Sequence, residues 1–335
     1  MEKKRIFVPS GYRSDLTVNE TQRAIESLKE VLLCELRKKL NLTRITSPLF
    51  FRRETGLQDN LSGKERPVAF DIPAADGCTA EVVQSHAKWK RKALADQGFK
   101  MGEGIITDMN AIRRDEPELD NIHSVYVDQW DWEKIIAPNQ RNTEYLKSVV
   151  TDIVDCMAIT CEKMYTKVNF NDQISFVTAQ ELENHYPKLA PQEREDAFVR
   201  DGHHITFISQ IGGKLAGGIP HGDRAPDYDD WSLNGDLIVW NDVLGRAVEL
   251  SSMGIRVDAN TLIKQLADKN ALDRIGLDYH KSVLSGKLPQ TIGGGIGQSR
   301  FAMHVLGKAH IGEVQSSVWD KETIKVCGDA GIQLL

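Results

Sequence analysis

A succession of β-rich runs with little chain between them is the feature that most limits what this sequence can fold into. These runs lie at residues 67–72, 81–84, 104–107, 124–133, 174–177, 205–209, 236–240 and 247–251. Parallel neighbours need a crossover of a dozen or more residues, usually a helix. Because several runs follow one another without such a helix, the sequence predicts an α+β fold with a mainly antiparallel sheet flanked by helices.

Helical patterns lie between and around these runs. The first begins with a capping box at Thr17 and Glu20 and continues at helical spacing to residue 40. The chain then enters a segment in which Pro48 limits any strand to an edge or boundary position. Further helices are predicted at residues 87–95, 143–167, 192–201, 261–269 and 299–306. No repeat or linker divides the chain, so we expect a single domain over residues 1–335.

Charge and composition exclude several classes of protein. The chain has 48 acidic and 42 basic residues and a net charge of −6, without a long basic cluster, so nucleic-acid binding is not indicated. Residues 1–9 are basic but lack a signal-peptide core, and no segment approaches the ~18 apolar residues of a membrane helix. The five cysteines have no zinc-type spacing. We expect a cytoplasmic protein with reduced thiols and no membrane partner.

A glycine-rich segment is the strongest local sign of ligand binding. Residues 293–300 read Gly-Gly-Gly-Ile-Gly-Gln-Ser-Arg and precede an apolar run suited to a helix. The segment lacks the Lys-Ser/Thr ending of a P-loop and the register of a dinucleotide fingerprint. Glycines let a backbone approach a ligand closely, and Arg300 on the following helix can reach a phosphate of that ligand. The alternative is a tight turn that packs a helix on a sheet.

Two predicted strands at residues 111–116 and 123–133 are joined by a polar loop. Alternation places Gln129, Asp131 and Glu133 on one face of the second strand, opposite a largely aromatic face. Polar side chains on a half-buried strand lower stability unless they have partners. We therefore expect a polar ligand or a paired arginine on that face, and exposure to solvent is the alternative.

Two carboxylates are predicted to lie on neighbouring strands, Asp236 on one and Glu249 on the next. Carboxylate oxygens suit magnesium that is bound through the phosphates of ATP. The sequence assigns no role to four aspartates nearby, which are Asp223, Asp227, Asp229 and Asp230.

In this order, the segments resemble the catalytic core of class II aminoacyl-tRNA synthetases. The helix before Pro48 resembles the family's first motif, which lies at the dimer interface. Arg113 with Glu116 resembles the second motif, and residues 293–300 resemble the third. Within this superfamily, the chain is most similar to ammonia-dependent aspartate–ammonia ligases at residues 59–63, 86–91, 125–133 and 249–256. The resemblance covers essentially the whole chain.

The resemblance implies an enzyme that makes L-asparagine from L-aspartate, ATP and ammonia through a β-aspartyl-adenylate, with release of AMP and pyrophosphate. It also implies a homodimer and a single catalytic domain, and the short stretch after residue 306 leaves no place for a separate tRNA-binding domain. The alternatives are a relative of the aspartyl- or asparaginyl-tRNA ligases and a paralogue that binds the amino acid or AMP without catalysis.

The resemblance further implies how ATP is held. Arg113 would bridge the aspartate β-carboxylate and the α-phosphate, Arg300 would clamp the triphosphate, and Glu116 would meet the adenine. The expected ATP site also includes Arg256 and Gly295. Magnesium would lie on Asp236 and Glu249.

For the amino acid, the resemblance implies contacts from Ser85, Lys90, Asp131 and Ser252. We place Asp59 and Gln129 beside the reacting carbon as the pair that holds ammonium. Glutamine as nitrogen donor needs a nucleophilic cysteine, but Glu2 excludes an N-terminal one and no cysteine lies in a recognisable nucleophile motif. The sequence therefore predicts free ammonia as the donor.

Overall fold

Eleven strands and nine α-helices make up the computed structural model, which describes residues 5–335. The strands are β1 (Leu42–Arg44), β2 (Phe50–Arg52), β3 (Ala69–Ile72), β4 (Cys78–Val82), β5 (Gly104–Ile112), β6 (Tyr126–Ile135), β7 (Ser175–Thr178), β8 (Ile205–Ser209), β9 (Asp229–Asn241), β10 (Arg246–Arg256) and β11 (Thr291–Gly297). The helices are α1 (Val18–Leu40), α2 (Ala87–Asp96), α3 (Thr143–Lys163), α4 (Ala179–His185), α5 (Pro191–Arg200), α6 (Ala259–Asp268), α7 (Asp278–Leu284), α8 (Gln298–Val305) and α9 (Lys321–Asp329). Glu2 and the start of the basic N-terminal segment lie outside the described residues.

The main sheet has eight strands in the order β1-β5-β6-β11-β10-β9-β8-β7. Only the outermost pairs, β1 with β5 and β7 with β8, are parallel in the described chain. The five inner pairs are antiparallel. A second, antiparallel sheet has the order β2-β4-β3. The predicted α+β fold with a mainly antiparallel sheet is confirmed.

Helix α1 covers one face of the main sheet together with α3. It begins with the predicted capping box, in which the Thr17 backbone N–H donates to Glu20 and the Glu20 N–H donates to the Thr17 hydroxyl. It ends at Asn41, which adopts a left-handed conformation with φ of 58°. Its apolar stripe is buried in the main core with Trp130 and Trp132 of β6. Each large apolar side chain buried in this way contributes about 1.5–3 kcal/mol.

The local structure differs from the sequence prediction in several places. The predicted strand at residues 111–116 is wrong beyond Ile112, where β5 ends and the chain turns. The glycine-rich segment was not among the predicted strands, yet it forms β11 in the middle of the sheet. The stretch around Pro48 is divided, because β1 joins the main sheet and β2 joins the small one. The run at 236–240 is the end of the much longer β9, and α3 ends at residue 163 instead of 167. No helix among residues 5–335 is long and apolar enough to cross a membrane.

Candidate active site

A cavity of about 330 Å³ lies on the face of β6 opposite the two buried tryptophans. Strands β6, β9, β10 and β11, helix α2 and four loop segments line it. Most of the predicted site residues are among its lining, which includes Asp59, Ser85, Lys90, Arg113, Glu116, Gln129, Asp131, Ser252, Arg256 and Gly295. A smaller cavity of about 60 Å³ shares Arg113, Glu116 and Gln129 with it and adds Arg300. The structure thus brings together residues that lie far apart in the sequence.

The glycines of β11 make room for the polar side chains of β6. A Cβ at Gly293 would lie 2.0 Å from Glu133 Oε2, and one at Gly295 would lie 2.3 Å from Gln129 Oε1. Both distances are far below van der Waals contact. The sequence interpretation, in which the glycines let the backbone approach a ligand, is therefore incomplete. Gly295 does line the cavity, but its lack of a side chain also leaves space for that of Gln129.

Lys90 and Asp131 form a buried ion pair on the cavity wall. The Lys90 Nζ donates to Asp131 Oδ1 at 2.6 Å and to the Gly294 carbonyl oxygen at 2.9 Å. The other carboxylate oxygen, Asp131 Oδ2, accepts from the His86 backbone N–H at 3.2 Å. Burial lowers the pKa of Lys90, and the charge of Asp131 opposes that shift. The two groups offer one cation and one anion side by side.

Asp59 is fixed by hydrogen bonds to both of its oxygens. Its Oδ2 accepts from the Ser85 hydroxyl at 2.7 Å, and its Oδ1 accepts from the Leu61 backbone N–H at 2.8 Å. Ser85, predicted to touch the substrate, thus holds Asp59 in this structure while also lining the cavity. Gln129 lines the same cavity from β6.

Two arginines, Arg113 and Arg300, line the smaller cavity. Arg113 follows β5 and makes no ion pair within residues 5–335, where its Nε also lacks a hydrogen-bond partner. Arg300 lies on α8, and its guanidinium donates to the carbonyl oxygens of Ile122 and Glu249 at 3.2 and 3.3 Å. A cation with unused donors beside a polar cavity is suited to an anionic ligand.

Asp236 and Glu249 lie on the adjacent strands β9 and β10 but line neither cavity. Arg224 donates to Asp236 Oδ2, and Asp236 Oδ1 has no partner among the described residues. Glu249 Oε2 lies 3.5 Å from Arg300 Nη1. Burial raises the pKa of Asp236 to about 7 against the effect of Arg224, and Glu249 adds to the rise. Burial also raises the pKa of Glu249, but Arg300 and Arg224 outweigh it and hold that pKa below its usual value.

Arg256 lies in a buried network of charges at the cavity floor. It forms ion pairs with Asp229 and with Glu133 of β6. The distance from Arg256 Nη2 to Glu133 Oε2 is 2.6 Å. Glu133 also accepts from the Thr291 hydroxyl at 2.6 Å. The arginine expected on the polar face of β6 is therefore Arg256, and in this structure its charge is matched by carboxylates of the protein.

The four unassigned aspartates have different partners. Asp223 pairs with Lys269 at the surface, Asp229 with Arg256, and Asp230 with Arg141. Asp227 is fully buried, and its Oδ2 accepts from Lys88, Arg274 and His280 at 3.1–3.2 Å. The partners of Asp227, Asp229 and Arg224 were not predicted from the sequence. A short acidic run directly before a strand was the available signal.

Replacing Asp227 with asparagine is expected to destabilise the fold by about 3–5 kcal/mol at pH 7, because Lys88 would stay buried without an anion. Burial alone raises the pKa of Asp227, but Lys88, His280 and Arg274 hold it below the ordinary 3.8. A depressed pKa stabilises the folded state above the unfolded pKa, and this contribution is lost as the pH falls. Urea unfolding should therefore give a difference from the wild type that shrinks below about pH 4.

The matched control for that prediction is Asp223→Asn. The Asp223–Lys269 pair lies at the surface, with 46% and 26% of the two side chains exposed, so its loss should cost less than about 1 kcal/mol. A similar loss of stability in the two variants would contradict the account of Asp227.

Comparison with known structures agrees with the fold. An asparaginyl-tRNA synthetase from Entamoeba histolytica, solved with asparaginyl-adenylate, superimposes with a TM-score of 0.62 at 11% sequence identity, covering 89% of this chain and 66% of that one. The asparaginyl-tRNA synthetase from Pyrococcus horikoshii, also complexed with asparaginyl-adenylate, gives a TM-score of 0.60 at 14% identity, covering 88% and 68%. The chain thus has the class II aminoacyl-tRNA synthetase fold and spans about two thirds of the length of these enzymes.

Sequence comparison gives a closer relationship. A family model described as aspartate-ammonia ligase matches residues 19–331. The chain is 52% identical to the aspartate--ammonia ligase of Ruminiclostridium cellulolyticum, over 98% of this chain and 99% of that protein. It is 51% identical to the one from Clostridium perfringens, over 99% of this chain and 100% of that protein. On these matches, which run almost from end to end, the chain belongs to the aspartate–ammonia ligase family.

Proposed function

We propose that this chain makes L-asparagine from L-aspartate and ammonia by way of a β-aspartyl-adenylate. The observation that carries the proposal is that one cavity is lined both by the Lys90–Asp131 pair and by Arg113, whose guanidinium has no ion pair in the described chain. A zwitterionic amino acid and a nucleotide phosphate are the ligands that such a set of charges matches.

The reaction needs an activated carboxylate, because a carboxylate is a poor electrophile. In the first step, an oxygen of the aspartate β-carboxylate attacks the α-phosphorus of ATP, and pyrophosphate leaves. In the second step, ammonia attacks the carbonyl carbon, and the bond from that carbon to the bridging oxygen breaks to release AMP. Nucleotidyl transfer is catalysed mainly by positioning and by charge neutralisation.

Arg113 and Arg300 would supply that charge. The planar fork of Arg113 would bridge the β-carboxylate and the α-phosphate, since it can meet two oxygens at once. Arg300, which lines the smaller cavity beside Arg113, would clamp the triphosphate. Glu116 would contact the adenine. Gly295 would contribute its backbone to the ATP site, and Arg256 would contribute a buried positive charge.

The aspartate and ammonia would bind around β6. Asp131 would take the α-ammonium group and Lys90 the α-carboxylate, with Ser85 and Ser252 nearby on the cavity wall. Asp59 and Gln129 would hold ammonium beside the reacting carbon. Ammonia is mostly protonated at neutral pH, so the Asp59 carboxylate would capture the cation and accept its proton.

Magnesium fits the carboxylates of Asp236 and Glu249. Asp236 Oδ1 is buried without a partner, which leaves it available to a cation. Among residues 5–335 there is no group of three or more side chains arranged to hold a metal by themselves. The phosphates of ATP and water would therefore complete the coordination, as is usual for this ion. Bound there, magnesium would neutralise charge on the departing pyrophosphate.

We propose free ammonia as the nitrogen donor. Within the described chain, no cysteine lines either cavity. Burial also raises the pKa of the Cys156 thiol to about 12, which makes it a poor nucleophile.

The expected organisation remains a prediction. We propose a cytoplasmic homodimer in which each chain acts as a single catalytic domain. The exposed rings of Phe50 and Phe70 lie edge to face with centroids 5.3 Å apart, on the small sheet that follows Pro48. An apolar surface next to the motif that resembles the family's interface supports association through a two-fold axis.

Product analysis tests the proposed reaction. Incubation with aspartate, magnesium-ATP and ammonium is expected to yield asparagine, AMP and pyrophosphate in equal amounts. Glutamine in place of ammonium should give no asparagine. ADP and phosphate as products would refute the adenylate route, and adenylate formation followed by transfer to tRNA would favour the alternative, a relative of the tRNA ligases.

A further inference from the structure

Arg224 carries a charge that none of the roles above uses. It precedes β9, lines the main cavity and donates to Asp236 Oδ2. Within the described residues, neither its Nε nor Asp236 Oδ1 has a hydrogen-bond partner. Arg224 therefore keeps a free hydrogen-bond donor, and Asp236 keeps a free acceptor, beside a polar cavity.

The position of Arg224 conflicts with the proposed metal site. Magnesium on Asp236 and the Arg224 guanidinium would compete for one carboxylate. Asp236 and Glu249 are like charges on adjacent strands, and Arg224 donates to Asp236. The charge of Arg224 also helps Arg300 to hold the pKa of Glu249 below its usual value. When no metal is bound, Arg224 is thus the cation that neutralises Asp236.

Displacement of Arg224 by a metal alone would take from its guanidinium the one carboxylate to which it donates within residues 5–335. Such a charge is costly away from bulk water unless it is paired. Magnesium-ATP brings a cation for Asp236 together with phosphate oxygens for the arginine. Asp236 and Arg224 are then paired with each other before binding, and with the metal and a phosphate oxygen after it. Free metal supplies a partner for Asp236 but none for Arg224.

We propose that Arg224 is an exchangeable counter-ion, which holds Asp236 while the metal is absent and moves to a phosphate oxygen when magnesium-ATP binds. This inference rests on the proposed function, because it assumes that the metal lies on Asp236. It makes Arg224 a further phosphate-binding residue and predicts that metal binds together with nucleotide.

The first test measures metal binding without nucleotide, so that it does not depend on activity. Mn²⁺ is titrated into the intact protein at pH 8, and the free ion is followed by electron paramagnetic resonance. Arg224→Gln is expected to bind Mn²⁺ about tenfold or more tightly than the wild type, because the competing cation is gone. Equal affinity in the two proteins would overturn the proposal.

Two controls show where the metal binds. Adding Asp236→Asn to Arg224→Gln should abolish the gain. Arg194→Gln removes another buried arginine, which pairs with Glu183 at 3.4 Å and lines neither cavity, and should leave Mn²⁺ affinity unchanged. A gain in the Arg194 variant, or one that survives loss of the Asp236 carboxylate, would contradict the assignment.

The second test is calorimetry with magnesium-ATP. Arg224→Gln should bind magnesium-ATP about tenfold more weakly, although it binds metal alone more tightly. Tighter binding of both would show that Arg224 only competes with metal and does not reach phosphate. If Asp236→Asn alone kept wild-type metal binding in the presence of ATP, the proposed metal site itself would fail, irrespective of Arg224.

Discussion

Arg113→Lys is expected to lower kcat by about 100-fold or more while the apparent affinity for aspartate changes little. Lysine keeps the charge but cannot meet two oxygens in one plane. Among residues 5–335, Arg113 is the only Lys or Arg side chain that lines both cavities, so no other cation reaches the same two groups. Steady-state kinetics with aspartate as the varied substrate measures the effect.

Arg114→Lys is the internal control. Arg114 is adjacent in sequence, but its side chain is 47% exposed, lies 3.9 Å from Asp115 and does not line either cavity. Its replacement should leave kcat within about threefold of the wild type. Equal losses in both variants would mean that bulk charge or folding is responsible, and the role assigned to Arg113 would be wrong.

Gly295→Ala is expected to reduce kcat/KM for ammonia by about 100-fold with a small change in thermal stability. The new Cβ would lie 2.3 Å from Gln129 Oε1 and 3.0 Å from Asp131 Oδ1. The end of the Gln129 side chain can move aside, so the fold survives, but a displacement of about 1 Å at a reacting centre can cost 10²-fold in rate. Kinetics with varied ammonium and a thermal melt separate the two effects.

Gly297→Ala gives the comparison within the same strand. The nearest atom to its new Cβ is Arg300 Cβ at 3.5 Å, which is ordinary contact. We expect at most a few-fold change in rate. A large and equal loss in both variants would show that any side chain on β11 is harmful, and that the space for Gln129 is not the cause.

Site residues that lie on regular helices or strands could be predicted from the sequence. Period-two alternation placed Gln129, Asp131 and Glu133 on one face of β6, because strand geometry fixes that alternation whatever the partners are. The first helix was predictable for a similar reason, since its cap and apolar stripe are local features. In both cases the physical cause lies within a few residues of its effect.

Contacts formed across long stretches of chain were not predictable in the same way. Lys88 and Asp227 are 139 residues apart, and nothing local marks either of them as buried. The same is true of Arg224, which lies in irregular chain that carries no periodicity. The glycines of β11 were recognised as significant, but the side chains nearest to Gly293 and Gly295 lie on β6, more than 150 residues earlier. The steric reason therefore became visible only in the folded chain.

The path of one oxygen atom tests the adenylate mechanism most directly. With aspartate labelled with ¹⁸O in the β-carboxylate, one labelled oxygen should appear in the phosphate of AMP and the other in the amide carbonyl of asparagine, as mass spectrometry would show. This follows because the carboxylate attacks the α-phosphorus and the C–O bond breaks when ammonia adds. Label in inorganic phosphate with ADP as the co-product, or AMP free of label, would contradict the account.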